Sequence, residues 1–229
     1  MILEVMNLKH QMKRDIGMIL RDDLKVTQHI GTIAAKANRM LGLILNTFSY
    51  LDLNSFRQLY CTFVRSQLEF AMSAWNPYLI KDIDILELVQ RRATKKAPGL
   101  RNVIYEERLK ILNLTTLKER RIRGDLIQQF KIIHGFDIVN WHNKPTFVIE
   151  DIDNEQNIMK PVTRGHKYRM IKENIKDTTR LNFFSNRIVN NWNALPIDVV
   201  EAKTVNSFKT KIDKIYEKNS TYETTKITK

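Results

Sequence analysis

From Thr27 onward apolar residues recur at intervals of three and four: Ile30, Ile33, Ala34, Ala37, Leu41, Ile44, Leu45 and Phe48. That period places them on one face of a helix. Asp52 or Asn54 then offers an N-cap for a second helix, whose stripe is Phe56, Leu59, Tyr60, Phe63, Val64, Leu68 and Ala71. It is expected to end at Trp75-Asn76-Pro77, where proline forbids continuation. A third helix is predicted from Lys81 to Lys96, with Ile85, Leu86, Val89 and Ala93 inward and Pro98-Gly99 as its stop. Tyr105 to Leu112 reads as a short helix. Thr116-Leu117-Lys118-Glu119 is a capping box that opens a long helix to His134, with Gly135 at its end. Ile122, Leu126, Phe130 and Ile133 form its inward stripe.

The flanking segments follow other patterns. Asp15 to Leu20 reads as a strand that enters a polar turn at Arg21-Asp22-Asp23. Residues 136–180 are polar and without helical period, with two short strand candidates, Phe147–Ile149 and Tyr168–Ile171. Helical pattern returns at Asn182 to Trp192, breaks at Pro196, and resumes from Val205 to Tyr216 with Thr204 as cap. The expected fold is therefore mainly α: residues 1–24 as a leading edge, a helical bundle over 25–135, a loop-rich region over 136–180, two C-terminal helices over 181–218, and a disordered tail over 219–229.

Composition narrows the function classes. With 229 residues, 43% of them hydrophobic, the chain is long enough to bury a sizeable core. A single cysteine, Cys61, excludes an intramolecular disulfide framework. The five histidines show no ligand spacing, so neither a metal nor a cofactor is expected. No apolar run approaches the ~20 residues of a membrane span, and Met1 to Asp15 lacks signal-peptide architecture. The expected location is intracellular, nuclear or cytoplasmic, with no membrane and no small-molecule substrate. Asp22-Asp23 raises metal-dependent nucleotidyl transfer, but upstream only Glu4 and Asp15 offer a third carboxylate. A turn explains the pair better.

Charge sharpens the picture. The net charge is +13, and residues 91–131 hold 12 Lys and Arg against 4 Asp and Glu. Concentration of this kind points to a polyanionic partner. Arg91, Arg92, Lys95 and Lys96 close one helix, where part of their charge answers the macrodipole. Lys118, Arg120, Arg121 and Arg123 crowd a helix start, where cations are disfavoured. Glu119 and Asp125 are too few to neutralise them, so an external phosphate is the expected counter-charge. All eight are candidate nucleic-acid-binding residues, placed on one face of the bundle. Replacing Arg120, Arg121 and Arg123 with Gln is expected to weaken binding and leave folding intact. Trp75 and Trp192 read as packing anchors, and Tyr60 and Phe63 as core rather than as base-stacking groups.

Several strings, taken in order, resemble one family. They are Asp15-Ile16-Gly17 with Asp22-Asp23-Leu24-Lys25-Val26 and Lys36-Ala37-Asn38-Arg39-Met40-Leu41-Gly42; then Val64-Arg65-Ser66-Gln67-Leu68-Glu69-Phe70-Ala71, Trp75-Asn76-Pro77-Tyr78 and Leu86 to Lys95. Tyr105, Arg108-Leu109 and Arg123-Gly124-Asp125-Leu126-Ile127 follow, and then Asn182-Phe183-Phe184, Arg187-Ile188-Val189 and Trp192-Asn193-Ala194-Leu195-Pro196. Together they resemble the C-terminal third of reverse transcriptases from non-LTR (LINE, jockey-like) retrotransposons, over roughly residues 13–215. The resemblance implies a palm edge at Asp15–Leu24, a thumb at 27–134 that rides on a template–primer duplex, and a post-thumb region. It places the fingers, most of the palm and the catalytic aspartates before Met1. The chain is accordingly expected to bind an RNA/DNA template–primer duplex, and to meet the missing polymerase region, without being an enzyme by itself. Two other classes stand beside this one: a transposon relic or truncated gene model, and an interaction module that docks on a separate polymerase or host protein.

Overall fold

The computed structural model describes residues 12–15, 18–21, 25–141, 145–148 and 165–226. The protein is mainly helical, as the periodicity predicts. It divides into two compact units, residues 1–121 and 122–229. The division falls inside the long helix that opens at the capping box, not at its end.

In the first unit, β1 (Met12–Asp15) and β2 (Met18–Arg21) pair antiparallel, with Arg14 opposite Ile19. Asp22 and Asp23 lie outside the described residues. Helix α1 (Thr27–Thr47) buries Ile30, Ala34, Ala37, Leu41 and Ile44. Helix α1 packs against α5 (Ile80–Lys96), where Ala93 is wholly buried, and small Ala34 and Ala37 are among its own buried positions. Each fully buried Leu or Ile here adds roughly 1.5–3 kcal/mol of transfer free energy.

The predicted second helix is not continuous. It comprises α2 (Leu53–Leu59), a π-helical stretch (Tyr60–Arg65), α3 (Ser66–Glu69) and α4 (Met72–Trp75). Its start is as expected: the Asp52 carboxylate accepts from the Asn54 and Ser55 N–H groups at 2.8 and 2.9 Å. The π stretch widens the turn, so Phe56, Tyr60, Val64 and Leu68 share the buried face at a spacing of four. Phe63, expected in the core, falls off that face and is 46% exposed. Ala71 then takes a left-handed conformation (φ 53°), a strained one for a residue with a Cβ, and breaks the run before Trp75. Trp75 is buried, and its indole N–H donates to the Phe70 carbonyl at 2.7 Å.

Helix α6 (Tyr105–Ile111) ends on Asn113 at φ 48°, with the Leu114 N–H donating to the Leu109 carbonyl at 2.8 Å. Helix α7 (Leu117–Ile133) opens on the predicted capping box. The Thr116 N–H donates to Glu119 at 2.9 Å, and the Glu119 N–H to the Thr116 hydroxyl at 3.2 Å. It closes on Gly135 at φ 72°, where the Phe136 N–H reaches the Lys131 carbonyl at 2.8 Å.

In the second unit, α7 buries Leu126 and Phe130. Around them pack Ile188, Val189, Trp192, Phe208 and Ile212. Phe130 stacks on Phe208 with centroids 4.2 Å apart. The two predicted strands meet as a single antiparallel bridge, Phe147 opposite Met170. The Asn193 amide extends that bridge, accepting from the Met170 N–H at 2.9 Å and donating to the Met170 carbonyl at 2.8 Å.

The helix expected from Asn182 to Trp192 is instead α8 (Thr178–Leu181), α9 (Phe184–Arg187) and α10 (Val189–Asn193). Asparagine side chains account for the breaks. Asn182 donates to the Thr178 carbonyl and Asn186 to the Arg180 carbonyl at 3.4 Å, each offering a carbonyl of α8 an alternative to the helical ladder. After α11 (Ile197–Val200), α12 (Val205–Lys226) runs ten residues past Tyr216, into the segment 219–229 expected to be a disordered tail, whose last three residues lie outside the described ones. No proline or glycine follows Val205 to stop it.

Candidate nucleic-acid interface

The basic end of α5 is carried on a helix whose other face is held by a buried polar hub. Asp82, Leu86, Val89, Gln90, Ala93 and Thr94 are buried. At 100° per residue, Arg91, Arg92 and Lys95 project from the opposite side, and all three are exposed, as is Lys96. The Arg92 guanidinium donates to the Asn38 amide oxygen at 3.0 Å, which ties it to α1. Arg91 lies over the Tyr105 ring, 4.3 Å from its centroid. Among the described residues no carboxylate stands within ion-pair distance of Arg91, Arg92, Lys95, Lys96 or Lys118.

Gln90 anchors that face. Its amide oxygen accepts from the Tyr60 hydroxyl at 2.8 Å; its amide nitrogen donates to the Tyr105 hydroxyl and to the Thr115 carbonyl, both at 3.0 Å. The Tyr105 hydroxyl donates to Glu87, which also accepts from the Leu117 N–H at 3.1 Å. Burial pushes the Tyr60 and Tyr105 hydroxyls well above their ordinary pKa, so both remain protonated donors. Glu87 thus caps the start of α7 and ties it to the middle of α5. The exposed Lys118, one residue on, is fixed in the same unit as the α5 cations. In the sequence Gln90 reads as one more member of a polar run; nothing local marks it as a hub.

The α7 cations differ. Arg120 grips Glu69 with two nitrogens, at 2.8 and 2.7 Å. Arg123 grips Asp213 likewise, at 2.6 and 2.8 Å. Arg121 is buried, at 3% exposure. Asp125 is held by Arg187 at 2.8 and 2.9 Å. The expectation that only an external anion offsets these arginines is therefore corrected. Their partners are Glu69 and Asp213, 51 and 90 residues distant, beyond the reach of local reading. For the variant with all three replaced by Gln, these pairs make a loss of stability the expected outcome in place of unimpaired folding. Bidentate pairing also fixes the guanidinium planes, so Arg120 and Arg123 serve structure first.

Among the described residues two histidines are buried. His29 accepts from the Ile19 N–H at 3.4 Å and packs edge-on to Trp75; His166 contacts the Trp192 carbonyl at 3.1 Å. Burial lowers the pKa of both below 6.5. Among the described residues no group of three or more His, Cys, Asp or Glu is placed to hold a metal ion. No helix among them is long and apolar enough to cross a membrane. Apart from the cations, a shallow groove is lined by Phe48, Tyr50, Leu51, Leu59 and Phe63, with Tyr50 84% exposed. Comparison with protein-family models, with curated proteins and with solved structures returns no match.

Proposed function

We propose that the first unit grips a nucleic-acid duplex through phosphate contacts made by the exposed face of α5 and by Lys118. The observation that carries this reading is the row Arg91, Arg92, Lys95 and Lys96: exposed, without a carboxylate partner among the described residues, and spaced so that like charges meet. Arg91–Lys95 and Arg92–Lys96 are i,i+4 pairs, each unfavourable by a few tenths of a kcal/mol. The helix C-terminus offsets part of that cost. A polyanion offsets the rest and adds counterion release.

The order of strings that resembles the thumb of non-LTR retrotransposon reverse transcriptases supports the same reading, with a template–primer duplex as partner. That resemblance assigns polymerase chemistry to regions other than those matched here, so the 229 residues are given a binding role and no catalytic one. The test is duplex binding against salt concentration. Contact with about five phosphates corresponds to a slope of log K on log salt of about −4 to −5 for B-DNA, with little sequence preference. Template-dependent DNA synthesis by these residues alone contradicts the binding-only part of the reading. The second reading, an interaction module, rests on the groove around Phe48, Tyr50 and Phe63. Protein docking there, with salt-independent behaviour toward duplexes, selects it.

A further inference from the structure

Two guanidinium groups share the Tyr105 ring. The Arg91 Cζ lies 4.3 Å from the ring centroid and the Arg108 Cζ 5.5 Å. Arg91 is exposed, whereas Arg108 is 7% exposed. Among the described residues no hydrogen bond or ion pair engages the Arg108 guanidinium, and its enclosed Nε has no acceptor. Stacking on an aromatic face compensates a desolvated guanidinium only in part. Buried charges are ordinarily paired.

The neighbouring acids do not fill the gap. The Glu87 carboxylate is engaged by neutral donors: the Tyr105 hydroxyl, the Leu117 N–H at 3.1 Å and the Gln90 amide at 3.4 Å. It makes no ion pair with either arginine. Glu106 and Glu107, on the same helix as Arg108, are exposed and make none with it. Two cations thus lie on one ring, one of them almost out of water, and among the described residues neither is paired with an anion.

We propose that Arg108 and Arg91 form a phosphate clasp on the Tyr105 ring, and that it takes one phosphate of the bound nucleic acid. This rests on the function proposed above and deepens it. A repeating polyanion fits better than an isolated carboxylate, because Arg91 is also the first member of the α5 row that continues through Arg92, Lys95 and Lys96. Arg108 thereby becomes the buried end of an otherwise exposed cationic track. In the sequence it is one arginine in a short amphipathic helix, and nothing in the spacing distinguishes it.

The test uses the full chain and two probes. The first is inorganic phosphate, read as the rise in melting temperature over chloride at equal ionic strength. The second is a 20-base-pair duplex, read as affinity and salt slope. The wild type is expected to melt higher in phosphate. Arg108→Met and Arg91→Gln abolish that increment, and each weakens duplex binding at low salt at least about fivefold and flattens the slope by about one. Arg108→Met does not melt below the wild type in chloride, and Arg101→Gln, at an exposed cation that stacks on no ring among the described residues, keeps the phosphate increment. The clasp is overturned if Arg108→Met melts well below the wild type in chloride yet retains the increment, because the guanidinium is then structural. It is equally overturned if Arg108→Met binds duplex with wild-type affinity and slope. If the wild type binds no duplex, the functional reading fails, and the phosphate increment alone decides the clasp: its loss in Arg108→Met upholds it, and its absence from the wild type overturns it.

Discussion

Arg120 and Arg123 on α7 each hold a carboxylate with two nitrogens, while Arg91, Arg92, Lys95 and Lys96 on α5 face water. The two stretches are alike in charge density and only about 20 residues apart. They differ in what the rest of the chain brings to them. Glu69 approaches α7 from α3, where it also pairs with Arg65 at 3.4 Å, and Asp213 approaches from α12. Among the described residues no carboxylate forms an ion pair with Arg91, Arg92, Lys95 or Lys96 on the outer face of α5. Charge clustering in a sequence therefore marks where cations are, and only the fold shows which have been answered internally. A cation at a helix start costs stability locally, but a distant carboxylate settles that cost as well as a ligand does.

If α7's ionic groups are structural, breaking the most buried of its pairs has the largest effect. The Asp125 side chain is 5% exposed and that of Arg187 15%. Asp125→Ala is expected to lower stability by about 3–5 kcal/mol, since it strands a guanidinium. Denaturant titration checks this; a loss below 1 kcal/mol would mean that the pair is not the anchor it looks to be. Next comes Leu126→Ala, which removes a fully buried side chain from the second unit and should cost about 2–5 kcal/mol. The variant with Arg120, Arg121 and Arg123 all replaced by Gln should also lose stability, by about 2 kcal/mol or more, because two bidentate pairs and one buried group are disturbed together.

The buried histidines give a smaller effect with a definite sign. Because their folded pKa values lie below 6.5, the unfolded chain binds more protons once pH falls under that value. The stability they contribute is complete above about pH 6.5 and declines as pH falls toward the lowered values, by at most about 1.4 kcal/mol per pH unit for each group. Unfolding midpoints measured from pH 8 to pH 5 should show this decline, and His166→Gln should make it shallower. A midpoint that rises toward pH 5 would contradict the burial of both rings.

Locality explains which features were legible in the sequence. The capping box at Thr116 and Glu119, the Asp52 cap and the Gly135 stop each involve residues within a few positions, and all three stand as expected. The stripes of α1 and α7 were legible for the same reason. The π-helical stretch at Tyr60–Arg65 was not, since it keeps apolar residues four apart much as a helix does. Gln90 and Arg108 were missed because their significance lies in burial, which residue type argues against. Among the eight nominated cations, the four on α5 and Lys118 are exposed. Arg120 and Arg123 depend on partners that no window of twenty residues contains, and Arg121 is buried.

The central claim is that the outer face of α5 is the phosphate-binding surface. Replacing Arg91, Arg92, Lys95 and Lys96 together by Gln should change stability by no more than about 0.5 kcal/mol, less than any of the α7 variants. The decisive measurement is duplex affinity across a salt series for the wild type and for this fourfold variant. The account predicts a wild-type slope of about −4 to −5 that flattens by about three to four units in the variant, with affinity lost across all sequences alike. An unchanged slope in the stably folded variant, or a wild-type affinity independent of salt, would contradict it.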